Sequence, residues 1–171
     1  MNPTSVLYIS PTTPELFDVY SERAKLHNIV KLHPDAGFDI FTPSDIRMPR
    51  NQSTKVDFGI VCAMYELNHD GSTNYSKPQS FYMYPRSSIS KSTFRLANNV
   101  GIIDSGYRGN IGAFFDIYGG TSDVYFMERG SRFIQLCNSK LEPFKVVVTN
   151  DVILPGGETE RGAGGFGSTG R

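Results

Sequence analysis

From Val56 to Met64 the apolar side chains recur at every second position: Val56, Phe58, Ile60, Cys62 and Met64, with mostly polar or small residues between them. A period of two places them on one face of a half-buried strand. Shorter runs rich in β-branched and aromatic residues predict further strands at Val6–Ile9, Ile29–Leu32, Phe38–Phe41, Ser80–Tyr84, Ile111–Tyr118, Val124–Met127, Phe133–Cys137 and Phe144–Val148. Gly, Pro, Asn and Asp punctuate these runs, as turns require. About nine or ten strands in one unit predict an all-β sandwich, jelly roll or barrel. One early stretch has the other period. Thr12 and Glu15 stand at capping-box spacing, and Leu16, Tyr20 and Ala24 share a face, so a helix is expected over 13–25. The polar stretch His69–Gln79 reads as a hairpin tip or loop, and no internal repeat is visible.

The chain changes character after Pro155. Residues 156–171 hold glycines at 156, 157, 162, 164, 165, 167 and 170, and Phe166 is almost their only large apolar side chain. The expected division is therefore a β domain over 1–155 and a glycine-rich arm over 156–171. By composition alone the arm reads as a disordered tail, because it buries too little surface to offset its ordering entropy.

A length of 171 residues suits one domain with its own core. Lys+Arg and Asp+Glu are both 17, so the formal charge is zero. That excludes a general nucleic-acid binder, which carries a basic excess. Two cysteines make no disulfide framework and point to a reducing compartment, cytoplasmic or nuclear. No apolar run reaches the ~20 residues of a membrane span. Val6–Ile9 lacks the basic flank of a signal peptide. His27, His33 and His69 show no metal-ligand spacing.

Several segments carry chemistry beyond their structural roles. Gly162–Gly167 has the glycine spacing of a phosphate loop but lacks the Lys and the following helix, so a Walker loop is rejected. Its exposed amides, Arg161, Phe166, Ser168 and Thr169 still suit phosphate and a stacked base. Pro85-Arg86-Ser87-Ser88-Ile89-Ser90 sets a guanidinium beside hydroxyls, suited to phosphate or to an ordinary polar turn. Asn98–Gly109 contains Asp104-Ser105-Gly106, which reads as a hairpin turn or as a carboxylate base at a pocket mouth. Asp39 interrupts the apolar strand Ala36-Gly37-Phe38-Asp39-Ile40; buried there, it needs an Arg or a hydrated metal.

Taken in order, these segments resemble the five motifs of the trimeric dUTP pyrophosphatases, the dUTPases: 36–40, 85–90, 98–109, Gly130-Ser131-Arg132-Phe133-Ile134-Gln135-Leu136, and 161–170. The resemblance implies a jelly-roll-like β-barrel or sandwich assembled as a homotrimer. Active sites lie between subunits, and the C-terminal arm is exchanged to close a neighbour's site. It implies Mg²⁺-dependent hydrolysis of dUTP to dUMP and pyrophosphate, which limits uracil in DNA. Asp104 matches the general base. Asn98, with the backbone around Gly101 and Ile103, matches the uracil reader, and Tyr107 matches the ring beneath deoxyribose. Arg86, Ser87, Ser88 and Gln135 match the phosphate cradle, and Asp39 the carboxylate linked to Mg²⁺ through water. Arg161, Phe166, Gly167, Ser168 and Thr169 match the closing arm. Read this way, the arm is a lid ordered by substrate rather than a tail. dUTP, dUMP and pyrophosphate are the implied small-molecule partners, with no direct nucleic acid and no membrane.

One position departs from the pattern: Ser131 stands where the fourth motif usually has Asp, which puts an ion pair there in doubt. Two alternatives stand beside this reading. A dCTP deaminase-like enzyme shares the fold, but Ile111-Gly112-Ala113-Phe114-Phe115 lacks the Glu expected of it, and such enzymes lack the glycine-rich arm. A dUTP-sensing regulatory protein would use surfaces at 66–80 or before Ala36.

Overall fold

The computed structural model describes residues 3–151 and 153–165. Twelve strands and one helix follow in chain order: β1 (Ser5–Pro11), α1 (Pro14–His27), β2 (Gly37–Ile40), β3 (Ile46–Pro49), β4 (Thr54–Leu67), β5 (Thr73–Gln79), β6 (Phe81–Pro85), β7 (Phe94–Leu96), β8 (Gly101–Ile103), β9 (Asn110–Ile117), β10 (Val124–Met127), β11 (Ile134–Asn138) and β12 (Phe144–Val148). They form a six-stranded sheet ordered β12-β1-β4-β9-β7, with β5 added on β4, a four-stranded sheet β2-β11-β6-β8 and a two-stranded ribbon β10-β3. Among the described residues the sheets stay open and close no barrel, so the architecture is the sandwich form of the expected β fold.

The alternation around Val56 decides which face of β4 turns inward. Val56, Phe58, Ile60, Cys62 and Met64 all join one core with Leu7, Ile9, Phe38, Phe115 and Leu136. Each such side chain, fully buried, contributes about 2 kcal/mol of hydrophobic stabilisation. A bulge at Gly59, in the left-handed region at φ 63°, shifts the β4–β9 register and bends the strand. Both cysteines are free and buried; burial pushes the Cys137 thiol up to about 11 and raises that of Cys62 further, so both stay protonated thiols near neutral pH.

Helix α1 forms one residue out of register with the expected capping box. Thr13, not Thr12, accepts the Leu16 N–H at 3.3 Å, and Pro14 follows at the first helical position. Thr12 instead donates to the Gly59 carbonyl at 3.0 Å, tying the helix entry to the bulge. Tyr20 and Ala24 bury as their spacing predicted, with Leu16 packed partly against the core. The helix exit docks on β12: the Asn28 side chain bonds both the Val146 carbonyl at 2.7 Å and its N–H at 2.9 Å. His27 donates from Nε2 to the Phe144 carbonyl at 3.1 Å, while its buried Nδ1 has no partner. Burial holds the ring's pKa below its ordinary 6.5, so it stays neutral.

Some expectations require correction. Ile29–Leu32 is not a strand: Val30 is 97% exposed and Leu32 88%. β-branched residues favour strands only where a neighbour strand covers them, and here the run is the link from α1 to β2. The polar 69–79 stretch is a hairpin tip only in its first part; Thr73–Gln79 pairs with β4 as β5. β3, β7 and β8, three or four residues long, lie outside the runs that predict strands. The Asp104 turn does not join a hairpin: β8 pairs with β6 and β9 pairs with β4 and β7, so the turn carries the chain from one sheet to the other.

Candidate active site

The four-stranded sheet gathers four of the motif segments side by side. Its order places Asp39 on β2, Gln135 on β11, Arg86 just beyond β6, and Gly101 and Ile103 on β8. In register, Gln135 stands opposite Asp39 on one side and Tyr84 on the other. Gly37 is glycine for a steric reason: a Cβ there would drive into the Gln135 side-chain amide. These residues line two clefts that share no wall residue.

The first cleft, about 620 Å³, is lined by Asp39, Arg86, Ser87 and Gln135 together with Arg23 of α1. The Asp39 side chain is only 7% exposed and meets three guanidinium groups. Arg86 Nε lies 2.8 Å from Oδ1; Arg132 Nη1 and Arg23 Nη2 lie 3.3 and 3.5 Å from Oδ2. Arg86 also donates to the Arg132 carbonyl at 2.8 Å and to the Ser88 hydroxyl at 3.4 Å, which fixes its orientation. A short 3-10 turn over Ser87–Lys91 presents Ser87 at the cleft. Asp39 therefore supplies the carboxylate partner of Arg132 that Ser131 lacks, while the Ser131 carbonyl accepts from the Thr42 amide at 2.9 Å.

The second cleft, about 240 Å³, opens where the two sheets part. Met83, Gly101, Ile103, Ala113 and Phe114 give it apolar walls, and Asn98, Asp104 and Tyr107 stand along it. β8 is the edge strand of its sheet, and its outer edge has no partner strand among the described residues. Gly101 lies so close to β6 that a Cβ would meet the Met83 side chain at 2.6 Å. The Asp104 turn is closed by the Tyr107 N–H on the Asp104 carbonyl at 2.9 Å. Arg108 braces it from behind, donating to the Ser105 and Tyr107 carbonyls at 3.0 and 2.9 Å and to the Tyr65 hydroxyl at 3.0 Å. Tyr107 bonds the Asn110 carbonyl at 2.9 Å, and burial raises its pKa, so the phenol stays protonated.

The described part of the arm lies over this cleft. Its root is clamped where the Tyr65 hydroxyl donates to the Pro155 carbonyl at 2.8 Å and Leu154 buries against Val6, Ala63 and Tyr65. Thr159 donates to the Gly106 carbonyl, and Arg108 N–H bonds the Gly162 carbonyl at 2.8 Å. Arg161 then reaches Asp104 at 2.7 Å. Within the chain, residues 153–165 lie against its own surface, with the root held at Pro155 and Arg161 paired to Asp104. Phe166, Gly167, Ser168 and Thr169 lie outside the described residues.

Among the described residues no cluster of three or more His, Cys, Asp or Glu side chains could hold a metal ion. Asp39, with three guanidinium groups on one carboxylate, does not fit as a ligand of a hydrated cation in this arrangement. No helix is long and apolar enough to cross a membrane. Sequence reasoning missed Arg23, Arg108 and Tyr65, all of which lie far from their partners in sequence or inside a segment read for another residue. Only the need of a buried Asp39 for an Arg pointed that way.

Comparison with known proteins places the chain in a family. The dUTPase family model matches residues 28–170. A fowl adenovirus A serotype 1 protein named deoxyuridine 5'-triphosphate nucleotidohydrolase is 28% identical over 159 residues, covering 92% of this chain and 78% of its own. The protein of the same name from Paramecium bursaria Chlorella virus 1 is 32% identical over 137 residues, 79% of this chain and 83% of its own. Among solved structures, a mutant dUTPase from phage phi11 of S. aureus superposes with a TM-score of 0.50 at 15% identity, covering 77% of this chain and 88% of that one, a likeness of fold alone.

Proposed function

The chain belongs to the dUTPase family, and from that membership we propose that it hydrolyses dUTP to dUMP and pyrophosphate. The observation that carries the reading is Asp104 beside a small apolar cleft walled by the open edge of β8. An open strand edge offers backbone N–H and C=O groups to a uracil edge, and a cytosine edge would leave them mispaired. Asn98, Gly101 and Ile103 read the base in this way. Tyr107 packs beneath the deoxyribose and leaves no room for a 2′-hydroxyl. Asp104 takes a proton from water as the water oxygen bonds to the α-phosphorus, and the bond to the bridging oxygen of the β-phosphate breaks. Pyrophosphate leaves, held by Arg86, Ser87, Ser88 and Gln135.

The base and the phosphates thus belong to separate clefts of one chain, which supports a homotrimer in which the base cleft of one copy meets the anion cleft of the next. Exchange of the arm between copies breaks the Arg161–Asp104 pair, frees the carboxylate and brings Arg161, Phe166, Gly167, Ser168 and Thr169 over the nucleotide. A divalent cation is a general requirement of the family; we assign Mg²⁺, carried by the triphosphate rather than by Asp39. The role of such an enzyme is to keep uracil out of DNA and to supply dUMP, in the cytoplasm or nucleus. Pyrophosphate release measured on dUTP, dTTP, dCTP and UTP, with and without Mg²⁺, tests the whole reading. Release from dUTP alone is expected; equal release from UTP removes Tyr107 from its role, and ammonia release from dCTP favours the deaminase alternative.

A further inference from the structure

The family match begins at residue 28, just past the end of α1 at His27. Yet α1 delivers a side chain to the anion cleft. Arg23 lines its wall with Arg86, Ser87 and Gln135. Its contact with Asp39 is long, 3.5 Å, and its Nε has no hydrogen-bond partner. Asp39 is already neutralised by Arg86 at 2.8 Å and engaged by Arg132 at 3.3 Å. Asp35, the other carboxylate of the cleft, is bound to Lys31 at 2.7 Å. Three guanidinium groups therefore face one carboxylate. Like charges held this close repel unless an anion enters between them. Arg132 and Arg86 hold Asp39; Arg23 is the cation least committed to it.

We propose that Arg23, supplied by the N-terminal helix, is a further phosphate-contacting residue of this chain and takes the distal phosphates of the nucleoside triphosphate in the anion cleft. The proposal rests on the dUTPase reading for the identity of the nucleotide, but the anion site itself does not. Arginine suits the task because its fork donates two parallel hydrogen bonds to phosphate oxygens.

Calorimetric titration of the full chain with inorganic pyrophosphate, and separately with dUMP, tests it. Arg23→Gln should weaken pyrophosphate binding about tenfold, the worth of one charge-assisted hydrogen bond, and leave dUMP binding unchanged. The KM for dUTP should rise by a similar factor, with kcat within about twofold. Arg23→Lys keeps the charge without the fork and should recover part of the affinity. Unchanged pyrophosphate affinity in Arg23→Gln overturns the proposal. So does a parallel loss of pyrophosphate and dUMP binding, which marks a brace for Asp39 only. If Arg23→Gln fails to fold, Arg23→Lys decides by the same two titrations. A wild-type chain that binds pyrophosphate through Arg23 yet releases none from dUTP refutes the function and upholds this site.

Discussion

The two clefts are built from opposite materials. The base cleft is small, about 240 Å³, and its walls are Met83, Ile103, Ala113 and Phe114 around an open strand edge. The anion cleft is about 620 Å³, and guanidinium, hydroxyl and amide side chains line it around Asp39. The first can discriminate, because a wrong hydrogen-bond pattern cannot be rearranged on a backbone edge between packed side chains. The second can hold but cannot discriminate, because charge attracts any polyphosphate. Adjacent residues of β6 serve both: Met83 lines one cleft and Tyr84 the other, as alternation along a strand requires.

The sharpest way to break this division is at Asp104. Asp104→Asn should lower pyrophosphate release by roughly 10³-fold, within the range of a lost general base, with nucleotide binding retained; near-normal turnover in a release assay would sink the assignment. Asp39→Asn acts on the other cleft. It strips the charge that holds three guanidinium groups, and it should cost about 2 kcal/mol in urea unfolding, below the 3–5 expected of a fully buried pair because the arginines are partly open to solvent. Unaltered stability would mean that the arginines repack without it.

Salt separates the clefts without mutation. Raising ionic strength from about 0.05 to 0.5 M should weaken pyrophosphate binding by about tenfold, while the preference for dUTP over dCTP stays constant. Equal loss in both measurements would contradict the division. The smallest effect expected is at His27, whose ring packs edge-on against Phe38, the residue before Asp39. Burial lowers the folded-state pKa of His27 below 6.5. The unfolded chain then binds the proton more readily, so stability from this group is complete above about pH 6.5 and declines as pH falls below it. Urea midpoints at pH 5 and 7.5 should differ less in His27→Gln than in wild type, and an equal difference in both would remove His27 from the acid response.

Much of this was legible along the chain, though unevenly. Strict alternation from Val56 to Met64 placed β4, because burial on one face leaves a periodic trace. Very short strands leave none: β8 has three residues, and its identity as the open edge of a sheet depends on β6. Ile29–Leu32 carried a strand composition but found no neighbour to pair with. The Asp104-Ser105-Gly106 turn is legible in its residues and exists, closed by Tyr107, whereas the role of Asp104 as a base comes only with the family resemblance. That it bridges two sheets, and that Arg108 and Tyr65 brace it, depends on contacts across more than forty residues.

The residue types and their order by themselves determined a β domain, a glycine-rich C-terminal arm and a family resemblance. Local periodicity, turn chemistry and motif spacing are properties of neighbouring residues, and they can be read without the fold. The tertiary structure alone decided which charges meet. It set Arg23, Arg86 and Arg132 on Asp39 from segments as far apart as α1 and the approach to β11, and it set Arg161 on Asp104. Such pairings arise from strand order and helix docking, through long-range contacts that no local pattern encodes.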